Sequence, residues 1–131
     1  MLSGVEASFL KYNWPSILWA AFILLLCLIP GRDLPSVTIF QFDKIVHFIF
    51  YVILAWLMFY GWRKQTVFSS LHQNMLIKIL FITFVYGFAV EILQELLTLD
   101  RHFDILDALA NSTGAVAGSI ISAYLRQKFT L

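Results

Sequence analysis

The sequence predicts an all-α integral membrane protein, folded as a four-transmembrane-helix bundle. Three observations carry that expectation. Of 131 residues, 60% are hydrophobic, 17% aromatic and only 13% charged, which is too apolar for a soluble domain of this size. Four apolar segments follow one another, Trp14 to Ile29, Ile45 to Trp62, Ile77 to Leu97 and Phe103 to Leu125. The polar residues in or beside them gather at the start of the second, the end of the third and the start of the fourth. A hairpin stack places those three ends on one side. A charge at the centre of a membrane helix costs about 3 kcal/mol, so such residues are read first as functional.

A helix needs about 20 residues to cross a hydrocarbon core of about 30 Å, and segments two to four are long enough. The first is marginal. Its wholly apolar part, Ile17 to Ile29, lies between Pro15 and Pro30. It spans if Tyr12, Trp14 and Trp19 sit in the interface and Lys11 snorkels towards the headgroups. Leu28-Ile29-Pro30-Gly31 offers no small-x-small cleavage site, so this segment is read as a retained span rather than a secretory signal. Pro30 to Gln41, with Gly31, Asp33 and Pro35, reads as a turn-rich loop. Arg63 to Asn74 reads as the loop between spans two and three. The connection from Leu99 to His102 is so short that spans three and four must form an antiparallel hairpin, bringing Glu91 and Asp107 to similar depth. Without internal repeats or a composition break, residues 1–131 read as one domain.

Lys11, Arg63, Lys64, Lys78, Arg126 and Lys128 fall on the side of the termini, against Arg32, Lys44 and Arg101 opposite. That excess favours both termini in the cytoplasm, N-in and C-in, with the polar cluster near the outer leaflet. The formal net charge is +1 and no basic run is present, so nucleic acid is not an expected partner. The single cysteine, Cys27, reads as an apolar packing residue.

Asp43, His47 and Tyr51 recur every four residues, along one stripe of the second helix. They form either a hydrogen-bonded line or, more blandly, a capping acid and a packing aromatic beside one histidine. His47 lies a turn inside the apolar run, where imidazole needs a partner. Glu91 and Gln94 share a face of the third helix, with Glu95 a turn further on. Glu91 is the deeper acid, read as either a proton carrier or half of a structural salt bridge. On the fourth helix Asp107 and Asn111 share a polar face with Asp104, which reads equally well as a cap. Ala110, Gly114, Gly118 and Ser122 put a small residue at every fourth position, a pattern that lets two helix backbones approach closely in lipid. Ser112 and Thr113 read as hydroxyls bonded to the preceding turn. No serine-hydrolase elbow, zinc-protease helix, phosphate loop or paired cysteines occur, no cofactor is indicated, and nothing in the spacing of the acids selects a metal.

The run Asp43-Lys44-x-x-His47-Phe48 with Tyr51, then Glu91-x-x-Gln94, then Arg101 followed by Asp107, Asn111, Gly114 and Gly118 resembles the VanZ-like family. The motif-bearing part covers about residues 43–124. The resemblance implies a multi-pass protein of the bacterial cytoplasmic membrane, related to an accessory protein linked to teicoplanin tolerance. It implies no reaction. By carry-over it marks Asp43, Lys44, His47, Glu91, Gln94, Arg101, Asp107 and Asn111, and leaves Asp104 in a looser position.

Two classes of function follow. In the first, the chain is an enzyme acting on a lipid-linked cell-wall precursor or membrane lipid. His47, Asp43, Glu91 and Asp107 then supply acid/base catalysis, and Lys44, Gln94, Arg101 and Asn111 bind substrate. In the second, the chain binds or shields a lipid headgroup, a lipoglycopeptide tail or a cell-envelope partner at the same site without chemistry. Proton-coupled transport fits less well, because four spans make a thin wall and no polar residue is expected on the cytoplasmic half. The Gly114/Gly118 face is a candidate for helix packing, including a homodimer.

Overall fold

A computed structural model of the chain describes residues 4–30, 42–98 and 101–129. Four long helices, α1 (Gly4–Cys27), α2 (Phe42–Lys64), α3 (Met75–Leu97) and α4 (Ile105–Phe129), make up almost all of it. Each has the length and apolar composition to cross a membrane. Large apolar side chains are exposed on all four, among them Leu25, Ile49, Phe81 and Ile120. Helices apolar on every side belong in hydrocarbon rather than water.

The closest helix pair is α2 with α4, and the reason is the small-residue stripe. A Cβ on Gly114 would land on the backbone carbonyl of Phe48, and one on Gly118 on that of Val52. Side-chain-free backbone at both positions lets α4 lie directly against α2. Gly114 and Gly118 thus pack within the chain, against Phe48 and Val52 of α2. Ser112 and Thr113 bond back to the Ala108 and Leu109 carbonyls, as their position predicts.

The first helix departs from its expected bounds. It begins at Gly4 and runs through Pro15 instead of starting beside it. Proline removes the N–H that would bond the Lys11 carbonyl. Lys11 is exposed, two turns into the helix. Trp19 is half-buried: its indole Nε1 donates to the Phe50 carbonyl at 3.0 Å, and its ring meets Phe50 edge-on. Tyr86 on α3 donates in turn to the Ala20 carbonyl. α1 is therefore tied on by side chains reaching across to backbone carbonyls, and it packs chiefly on α2.

The half of the bundle expected to lack polar residues contains Asn13 and Ser16, both buried. Each bonds within α1, Asn13 to the Phe9 carbonyl and Ser16 to that of Asn13. Gly61 makes room for this pair, since a Cβ there would strike Asn13 Oδ1 and the Tyr12 carbonyl. Between α2 and α3, Gln65 exchanges hydrogen bonds with the backbone of Phe68, and His72 Nε2 lies 2.7 Å from the Trp62 carbonyl at the end of α2. A side-chain donor there meets a carbonyl that the helix itself leaves unpaired. Asn74, in the left-handed region, turns the chain into α3. The turn-rich loop read between Pro30 and Gln41 lies outside the described residues, apart from Pro30.

Candidate functional site

The N-terminal ends of α2 and α4 and the C-terminal half of α3 meet at one end of the bundle. His47, Glu91, Asp107 and Asn111 are all buried there, with relative exposures of 5%, 0%, 4% and 1%. Their helices place them by the spacing already read from the sequence. The close α2–α4 seam at Gly114 sets the register that brings His47 opposite Asn111. His47 Nδ1 bonds Asn111 Oδ1 at 3.0 Å. On the same ring, Nδ1 stands 3.6 Å from Glu91 Oε1 and Nε2 stands 4.0 Å from Asp107 Oδ2.

Glu91 is the unusual member. The Asn111 amide and the Asp104 backbone N–H lie close to it, yet neither carboxylate oxygen has a partner in hydrogen-bond geometry. The Tyr51 hydroxyl and Asn111 Nδ2 are likewise buried without a bond. Native structures leave few such groups, so each asks for an explanation. Gly87, one turn before Glu91, brings Tyr51 and Asn111 in: a Cβ there would stand 3.2 Å from the Tyr51 hydroxyl and 3.3 Å from Asn111 Nδ2. Tyr51 thus turns its polar end to this site as well as filling the core. Sequence reading missed Gly87. Its signal was the i, i+4 spacing to Glu91 on an otherwise bulky apolar helix.

Beside this buried group lies a charged clasp. Lys44 Nζ stands 2.7 Å from Asp43 Oδ2, 2.6 Å from Asp104 Oδ2 and 2.8 Å from Asp107 Oδ1. One ammonium thereby joins α2 to α4. Asp104 also accepts the Leu106 backbone N–H at 2.8 Å, so it is both the cap of α4 and a partner of Lys44. Hydrogen bonding to Lys44 holds its carboxyl below the usual aspartate range.

Several residues expected together are apart. Asp43 sits on the half-exposed rim and pairs with Lys44; the hydrogen-bonded line from Asp43 to His47 is not formed. Lys44 is engaged by three carboxylates. Gln94 turns to α1, where its Nε2 donates to the Cys27 carbonyl at 2.8 Å. Arg101 is half-buried, and its charge acts through space on Glu91 and Cys27. Glu95 is exposed.

Four membrane-length helices enclosing a buried His, Glu, Asp and Asn group at one end define a multi-pass membrane protein with an internal polar site. The family model described as VanZ/LLP1 matches residues 5–126, nearly the whole chain and including α1, so the protein belongs to the VanZ/LLP1 family. Neither the comparison with curated proteins nor that with solved structures gave a match.

Proposed function

We propose that the protein lies in the bacterial cytoplasmic membrane with both termini inside, and that its polar site, near the outer leaflet, acts on a lipid-linked substrate of the cell envelope. The single observation behind this reading is the buried Glu91 carboxylate, without a hydrogen bond and 3.6 Å from the His47 ring. A merely structural acid would have been paired. His47 is the acid/base group, oriented by Asn111 through its Nδ1. Glu91 and Asp107 face the same ring and carry or accept the proton it exchanges. Arg101 holds the phosphate or carboxylate of the substrate, because Lys44 is engaged by Asp43, Asp104 and Asp107. No serine or cysteine nucleophile stands in the group, so the attacking species is water or a substrate hydroxyl. Turnover or capture of a lipid-linked wall precursor is also the route by which such a protein would contribute to teicoplanin tolerance.

The test is mass spectrometry of lipid-linked wall precursors and membrane phospholipids incubated with purified wild type and His47→Ala. A product formed only by wild type supports the enzyme. The Lys44 clasp favours one further reading, binding without chemistry, since it makes the mouth of the site rigid. On that reading Glu91→Gln and Asp107→Asn retain function, and loss with either removes it.

A further inference from the structure

We propose that His47, Glu91 and Asp107 bind one divalent first-row metal ion, an inference that rests on reading this end of the bundle as the functional site and that makes His47 a ligand in place of the acid/base group. One ligand atom from each of the three lies within 4.8 Å of the other two. The ligands come from three different helices, all buried. Two separate observations point to a cation among them.

The first is the set of unpaired acceptors. Both oxygens of Glu91 lack a hydrogen bond although the residue is fully buried. Asn111 Oδ1 accepts from Nδ1, which leaves Nε2, 4.0 Å from Asp107 Oδ2, as the ring nitrogen open to a ligand, while Glu91 Oε1 lies 3.6 Å from Nδ1. A histidine held through its other nitrogen by a carbonyl oxygen is the usual support for a metal-binding imidazole.

The second observation is the neighbouring triad. Asp43, Asp104 and Asp107 form a similar three-carboxylate group, and there the Lys44 ammonium supplies the cation at 2.6–2.8 Å. Asp107 belongs to both triads. Among the described residues no lysine or arginine nitrogen reaches ion-pair distance of Glu91. With Asp43, Glu91, Asp104 and Asp107 ionised against Lys44 and Arg101, these six groups carry a formal excess of two negative charges. A divalent ion neutralises that excess. One imidazole with two carboxylates, and no thiolate, suits Mn²⁺, Fe²⁺ or Zn²⁺; Ca²⁺ prefers six to eight oxygens.

The experiment is a titration of detergent-purified, chelator-stripped protein with Mn²⁺, followed by electron paramagnetic resonance of the free ion, and with Zn²⁺ in competition with a chromophoric chelator. Wild type is expected to take up one equivalent, with Glu91→Gln and His47→Gln each weakening binding at least tenfold and Glu95→Gln leaving it within about twofold. As a second readout, either metal should raise the melting temperature of wild type and not that of Glu91→Gln, which keeps the shape of the side chain. No uptake at millimolar metal, or equal uptake by Glu91→Gln, overturns the proposal. A lipid product formed by protein that binds no metal overturns the metal while leaving the envelope-lipid reading. Metal uptake abolished by Glu91→Gln, with no lipid bound or converted, supports the metal and overturns that reading.

Discussion

Lys44 and Asp107 meet across the α2–α4 seam at 2.8 Å, while the other oxygen of Asp107 faces His47. One carboxylate therefore belongs to both the charged clasp and the buried site. A change in either is felt by the other.

Removing the ammonium tests the clasp. Lys44→Met leaves Asp107, 5% exposed, beside two further acids. The loss should fall between the roughly 1 kcal/mol of an exposed pair and the roughly 3–5 kcal/mol of a buried one. Thermal unfolding in detergent, with Lys64→Met as a control on an exposed lysine, reads it.

Asp104 gives the clasp a pH dependence. Hydrogen bonding to Lys44 lowers its folded-state pKa. Such a group stabilises the fold above its unfolded pKa, about 3.9, and that contribution is lost as the pH falls through the lowered folded value. Titrating the Asp104 carboxyl by carbon NMR should give a value below the ordinary range in wild type. In Lys44→Met it should move up towards that range.

The seam itself is testable at glycine. Gly114→Ala places a Cβ against the Phe48 carbonyl, and backbone cannot move aside as a flexible side chain can. Overpacking of this kind costs about 1–3 kcal/mol and occasionally more. Thr113→Ala, on the exposed side of the same turn, should stay within about 0.5 kcal/mol.

Cys27 reports on the attachment of α1. It is 4% exposed, and its carbonyl accepts the Gln94 amide. Gln94→Ala should loosen that contact and speed labelling of Cys27 by a membrane-permeant maleimide several-fold. Equal rates in both proteins would show that Gln94 does not hold α1 in place.

Much of this arrangement was legible because helical spacing is rigid. His47, Glu91, Asp107 and Asn111 lie on predictable faces of segments whose order places their ends together, and the structure brings all four into one group. The glycine stripe was equally legible as packing, though not its partner, because any helix with an open carbonyl row would satisfy it. What could not be read was the direction of long side chains. Lys44 reaches across to α4, and Gln94, one turn from Glu91, turns towards a different helix. The start of α1 was misplaced because proline is read as a boundary, whereas this helix continues through Pro15 at the loss of one backbone donor. Gly87 was missed because it acts through the side chain it lacks.

The backbone contact at Gly114 and Gly118 has a mechanical meaning. Two helices in backbone contact, and clasped by Lys44 at one end, form one packed body carrying His47, Asp107 and Asn111 together. Glu91 rides on α3, outside that body. Any substrate entry that widens this end of the bundle therefore changes the distance from Glu91 to His47 before it disturbs the imidazole and its supports, which makes the α3 carboxylate the moving jaw of the site.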